Sequence, residues 1–268
     1  MLRAPELLLA THRAFLAAGA RVLETATYQM AHATLRELGY SGSEIDGVFA
    51  RAVGLARAAV AGHRAASGAA GTYLVAASLG PFGATLGDGS EYSGVQHLER
   101  DELYAFHAER LRSIVRARPD VVVFETIPTQ REALVIAEVA RDAGLESVWI
   151  SFSCPDGAHT YAGDPIGEAA AMLDGFEGID VIGVNCTAPA ATAPLLRAIK
   201  HASTRALYAC PNLGQHWESS THELAGGEGA AAFLRCVPEL LELGVTYIGG
   251  CCGVGPRTLA QLAALAQF

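Results

Sequence analysis

The chain has no run of lysines or arginines, and its formal net charge is −9. Phosphate recognition needs a basic face, so nucleic acid is not an expected partner. No apolar run approaches the ~18–20 residues that cross a bilayer, so no membrane-spanning helix is expected. The opening "MLRAPELLLATHRAFLAAGA" carries an early arginine and an "LLLA" run, but Thr11-His12-Arg13 interrupts it. It reads as an amphipathic helix with Pro5 in its first turn rather than as a secretion signal. A cytoplasmic protein is the expectation. No apolar run is followed by a G-x-G-x-x-G turn, and the nine histidines show no H-E-x-x-H spacing. Dinucleotide binding and a histidine-based metal site are therefore both without support. His97, His107, His201 and His222 read as helix or loop surface, and His216 with Trp217 as part of a substrate-side loop.

What the chain does have is apolar material, 51% of its 268 residues, enough for one sizeable core. Short apolar runs at 22–27, 73–80, 120–126, 147–153, 180–186, 206–212 and 246–252 read as strands. Most show no polar alternation, as expected where helices cover both faces of a parallel sheet. Segments with helical apolar spacing lie between them, and two end in "AG" or "LG" just before the next strand. The alternation continues without a composition break, so residues 1–268 read as one domain of the α/β class. Thr25, Thr27, Tyr28, Glu125, Ser153, Cys186, Asn212, Cys251 and Cys252 cluster at the C-terminal ends of these strands. In a (β/α)8 barrel of the TIM type that end carries the active site; a doubly wound open sheet is the alternative. Only seven strands are found and a helix opens the chain, so the barrel is expected to lack its first strand.

Six cysteines in a cytosolic chain of this size do not make a disulfide scaffold. Cys186, Cys251 and Cys252 end strands, the last two inside "YIGGCCGVGP". Two readings stand side by side: small core fillers, or three thiolates on a soft or borderline metal such as zinc with the fourth position open. A vicinal disulfide between Cys251 and Cys252 would be strained and is disfavoured in a reducing compartment. Cys154, Cys210 and Cys236 lack the glycine context and read as fillers.

"GVNC" at 183–186 with "IGGCCGVGP" at 248–256 resembles the zinc signature of the homocysteine S-methyltransferase family. "AGARVLETATYQ", "ASLGPFGATLGDGSEYSG", "FETIP", "SFSC" and "CPNLG" follow the same order. The "GPFGATLGDGSEY" stretch resembles the branch that uses S-methylmethionine or S-adenosylmethionine as donor. The resemblance implies Zn2+ on Cys186, Cys251 and Cys252, with homocysteine as methyl acceptor. It further implies that Glu125 binds the homocysteine ammonium, the bland alternative being a helix cap or an arginine pair. Ser153 and Asn185 would line the same mouth or merely hydrogen-bond a loop. The ring of Tyr28 would face the sulfonium or simply pack at a strand end. Family members open with a strand and an Asp-Gly-Gly-type turn that have no counterpart here. That departure supports a second expectation, a zinc- or thiol-binding relative without turnover, and suggests edge pairing between chains as a route to a homo-oligomer. "CPNLGQ" departs as well, in Cys210 and Gln215, on what would be the donor side.

Overall fold

The computed structural model describes residues 1–68, 70–95, 97–218, 221 and 223–266, and among these all side chains except those of His216, Trp217, Glu223 and Leu224. In chain order the elements are α1 (Pro5–Ala17), β1 (Val22–Glu24), α2 (His32–Glu37), α3 (Gly42–Ser67), β2 (Leu74–Leu79), α4 (Arg100–Ala117) and β3 (Val121–Ile127). There follow α5 (Gln130–Asp142), β4 (Val148–Phe152), α6 (Ile166–Asp174), β5 (Ile179–Asn185), α7 (Pro189–Ala202) and β6 (Ala206–Cys210). A hairpin of β7 (Gln215–Glu218) and β8 (Glu223–Gly226) precedes α8 (Gly229–Glu242), β9 (Tyr247–Ile248) and α9 (Pro256–Ala266).

Seven strands form one parallel sheet in the order β1-β2-β3-β4-β5-β6-β9. This is the expected TIM-type barrel with one strand fewer than eight among the described residues. The two-residue period of each strand sorts the apolar residues into two cores. Val123, Trp149, Val181 and Tyr208 meet inside the barrel. Phe124, Ile150, Ile182 and Leu207 face the helical shell. The same parity puts Ser78, Glu125, Ser151 and Asn185 in the interior layer nearest the strands' C-terminal ends.

The helices start and stop where local chemistry dictates. Ser41 with Glu44, and Glu99 with Glu102, form capping boxes for α3 and α4. The Thr129 hydroxyl accepts from the Glu132 amide at 3.0 Å to cap α5. The strands are shorter at their ends than the apolar runs suggested. β9 holds only Tyr247 and Ile248, because the chain turns away at Gly249-Gly250. The β7–β8 hairpin was not visible in the sequence pattern.

The facing edges of β1 and β9 have no paired strand among the described residues, and a cavity of about 710 Å³ opens between them. The helical layer nevertheless closes there: a Cβ on Gly19, just beyond α1, would lie 2.9 Å from Ala263 of α9.

One expectation is corrected on α4. His107 is not a surface residue but fully buried, and its Nε2 lies 2.9 Å from Glu132 Oε1. That carboxylate also accepts from the Phe82 amide at 2.7 Å. One turn on, the fully buried Arg110 donates at 2.7 Å each to the carbonyls of Gly80 and Tyr28. Burial pulls this guanidinium down to about 10, so it stays charged at neutral pH. α4 thus pins the loops that leave β1 and β2 toward the site. His97 and His201 are exposed as expected, while His222 lies outside the described residues, as do the side chains of His216 and Trp217.

Replacing Arg110 by methionine keeps the volume but leaves the buried Gly80 carbonyl without its donor, while the Tyr28 carbonyl keeps only the Gly80 amide at 3.0 Å. Unfolding free energy is expected to fall by about 3 kcal/mol, read from a urea transition.

Candidate metal centre and substrate pocket

Three sulfurs meet at the C-terminal ends of β5 and β9. The Sγ of Cys186 lies 3.4 Å from that of Cys252, which is 3.9 Å from that of Cys251. All three ligand atoms lie within 4.8 Å of one another. A tetrahedral ion with thiolates at ~2.3 Å holds its sulfurs about 3.8 Å apart, so the set fits such an ion. All six cysteines are free thiols. Cys154 and Cys210 are buried fillers, and Cys236 donates its S–H to the Phe233 carbonyl.

Local backbone makes this convergence. Cys186 adopts φ +50°, a left-handed conformation that costs a non-glycine residue of order 1–3 kcal/mol. Its amide is tied to the Cys210 carbonyl at 3.1 Å. The Cys251 amide donates to the Pro211 carbonyl at 2.9 Å, and the Val254 amide closes a turn back on Cys251 at 3.0 Å. A Cβ on Gly250 would stand 2.2 Å from the Val254 side chain, and Gly253 takes φ +81°. These are the physical reasons for glycines on both sides of the cysteine pair.

The thiols share charge unevenly. Hydrogen bonds from Cys186 and Cys251 hold Cys252 down to about 3, that is, as a thiolate. For Cys186 the bond from Cys251 pulls the other way, but its own bond to Cys252 and burial leave it at about 11. Cys251 is pushed well up by its bonds to the other two sulfurs and by burial. One thiolate thus accepts from two thiols, and a divalent cation in place of those protons would satisfy all three sulfurs.

Beside the sulfurs, Glu125 is buried, 7% exposed, and accepts from the Ser78 hydroxyl. Burial first, then the nearby Glu24 carboxyl, push Glu125 well above the usual carboxylate range. Glu24 is itself raised by burial and accepts from the Tyr208 hydroxyl at 2.9 Å. Neither bland reading of Glu125 holds: it caps no helix and pairs with no arginine among the described residues.

Asn185 is fully buried, and its amide is a clamp. Its Oδ1 accepts from the Thr126 amide and from the Ser151 hydroxyl, each at 2.6 Å. Its Nδ2 donates to Thr126 Oγ1 at 2.8 Å and lies 3.9 Å from Cys251 Sγ. Ser153 is likewise fully buried, its hydroxyl donating to the Thr126 carbonyl at 3.3 Å. Tyr28 hydrogen-bonds Thr126 and stands near Glu125 and Cys186; burial raises its phenol.

Sequence reasoning missed Glu24, Ser78 and Tyr208 behind Glu125. It also missed Tyr92, whose hydroxyl is 3.4 Å from Cys186 Sγ. Strand parity could have placed Ser78. Nothing local could have placed Tyr92, which reaches the site from a loop.

A parallel barrel with three converging thiols and a buried carboxylate at one mouth defines an α/β-barrel protein whose cysteine cluster could hold a metal ion. The chain belongs to the homocysteine S-methyltransferase family, whose model, described as homocysteine S-methyltransferase, matches residues 1–266. It is 36% identical to homocysteine S-methyltransferase 4 of Zea mays, across 97% of this chain and 79% of that one. It is 33% identical to the homocysteine S-methyltransferase of Escherichia coli, across 97% and 84%. The crystal structure of the E. coli homocysteine methyltransferase MmuM in its metallated form matches with TM-score 0.86 and 31% identity, over 97% of this chain and 85% of that one.

Cys251→Ala and Cys252→Ala are each expected to lose zinc on dialysis, while Cys236→Ala retains one zinc per chain by elemental analysis. Unchanged zinc content in the first two variants would refute the ligand assignment.

Proposed function

We propose that the chain catalyses methyl transfer from a sulfonium donor, S-methylmethionine or S-adenosylmethionine, to the sulfur of homocysteine, giving methionine. Zn2+ would be held by Cys186, Cys251 and Cys252. The observation that carries this reading is the sulfur triad at 3.4 and 3.9 Å beside the buried Glu125, in a chain of this family. Bound there, zinc supplies a Lewis acid that holds a substrate thiol as thiolate at neutral pH.

The chain's own residues position the reactants. Glu125 and Glu24 form a buried acidic pair whose raised carboxyls signal missing counter-charge. The α-ammonium of homocysteine would provide it, with Ser78 orienting the Glu125 carboxylate. Asn185 and Ser153 fix the wall between Glu125 and the sulfurs through Thr126, and Tyr28 offers a ring face toward the donor cation. The homocysteine sulfur forms a bond to the donor methyl as the donor S–C bond breaks. The bonding pair stays on the donor sulfur, which leaves as a neutral thioether. That leaving group needs no proton, so no general acid is required, and rate comes from thiol activation and in-line positioning. Residues 1–268 act as one barrel unit in a reducing compartment such as the cytoplasm, where the three thiols persist.

A second reading, a zinc- or thiol-binding protein without turnover, is favoured by the cavity between β1 and β9, which opens beside Glu24 and Glu125. Zinc-loaded protein incubated with homocysteine and S-methylmethionine is expected to form methionine. Full zinc occupancy with no methionine would select the second reading. Glu125→Ala is expected to weaken homocysteine binding at least tenfold by titration, about 1.4 kcal/mol, with zinc content unchanged.

A further inference from the structure

The "GDGSEYSG" stretch at 87–94 brings Tyr92 to Cys186, but its Glu91 belongs neither to the sulfur triad nor to the acidic pair. Residues Ser90–Tyr92 make a single tight turn, entered through Gly89, with the Ser90 amide held by Asp88 Oδ1 at 2.9 Å. The preceding turn, Phe82–Thr85, is pressed against it: a Cβ on Gly83 would lie 2.4 Å from the Ser90 carbonyl. The two turns therefore seat Glu91 and Tyr92 as a unit over the sulfurs. Tyr92 reaches Cys186, and its ring meets that of Tyr161 at 5.6 Å and 58°.

Glu91 stands beside Tyr92 in the same turn. Its Oε2 is buried and has no hydrogen-bond partner among the described residues. No cation pairs with it there either. The carboxyl is raised by burial and lies close enough to Cys186 and Tyr28 for their charges to interact. A buried carboxylate oxygen without a donor is costly unless a ligand supplies positive charge. A sulfonium suits it: a cation with no N–H or O–H, recognised by a carboxylate and by ring faces.

We propose that Glu91, with the rings of Tyr92 and Tyr161, forms the subsite that binds the positively charged sulfur of the methyl donor. This rests on the methyl-transfer reading and names the side of the site where the donor cation sits. The charge has a kinetic consequence. Positive charge on the donor sulfur fades as the methyl leaves, so Glu91 holds the donor more strongly than the transition state. The neutral thioether product loses that hold.

The test compares S-methylmethionine with methionine, which differs by one methyl and that charge, by calorimetric titration of the zinc-loaded protein. The wild type is expected to prefer the sulfonium, and Glu91→Gln to reduce that preference about tenfold, while Glu91→Asp keeps most of it. In turnover, Glu91→Gln is expected to raise the donor KM with kcat unchanged or higher and the homocysteine KM unchanged. Tyr161→Leu, at a ring 38% exposed and so tolerant of change, is expected to weaken sulfonium binding several-fold. An unaltered sulfonium preference in either Glu91→Gln or Tyr161→Leu, or a fall in kcat without a change in donor KM, overturns the subsite. A wild type that prefers the sulfonium yet forms no methionine removes the methyl-transfer reading and leaves the subsite standing. An active wild type whose preference survives Glu91→Gln does the reverse.

Discussion

The amide of Asn185 is the constraint on which the site depends. Thr126 and Cys186 both hold left-handed backbone at non-glycine positions, φ +62° and +50°. Such conformations persist only where surroundings over-determine them. Asn185 precedes Cys186 in the chain and grips Thr126 through both its amide and its hydroxyl. One buried side chain therefore fixes the exit of β3, which carries Glu125, relative to the exit of β5, which carries the first cysteine. Ser151 on the intervening strand completes the clamp. The distance between the acidic pair and Cys186 is set by strand exits, the stiffest places a parallel barrel offers, and the turn after β9 brings Cys251 and Cys252 up to Cys186.

Charge distribution follows from that geometry. The mouth is lined by carboxyls and thiols, with neither arginine nor lysine paired to Glu24, Glu91 or Glu125 among the described residues. Arg110, the nearest buried cation, spends its donors on backbone carbonyls outside the mouth. Under the methyl-transfer function proposed above, the reactants would bring the positive charge this mouth lacks: a metal dication, an amino-acid ammonium and a sulfonium. Each would then have its own anionic place, so that none competes for one carboxylate.

Much of this was legible in the sequence because strand parity and glycine chemistry are local. Alternate residues of "VVVFETI" divide between two cores, and that places Glu125 inward at the strand end without any knowledge of distant partners. "GGCCG" could be read because close approach and left-handed backbone demand glycine at specific steps. His107 was misread because its helix looked amphipathic with charges all round; its burial depends on Glu132, 25 residues away and on another helix. Asn185 and Ser153 stood out as polar residues at strand ends, but their partners, Thr126 and Ser151, lie on neighbouring strands, so hydrogen bonding could not be assigned from order alone. Tyr92 and Glu91 were inside a quoted motif, yet their direction was set by the packing of one turn on another, which carries no periodic signal.

The seam between β1 and β9 has a consequence for how the barrel is assembled. Every other strand pair in the sheet joins neighbours in chain order, except β6 and β9, which span the β7–β8 hairpin and α8, so the sheet can grow from one edge by local steps. Ring closure is different. It rests on long-separation contacts: α1 against α9, where Gly19 meets Ala263, and the Glu24–Tyr208 hydrogen bond across 184 residues. Bringing chain ends together over such a span carries the largest loop-closure entropy in the molecule, with helix packing and the buried Glu24–Tyr208 hydrogen bond among the contacts that offset it. The seam is therefore where folding finishes and where unfolding begins, and amide exchange should be fastest in α1 and α9 while β3, β4 and β5 exchange last.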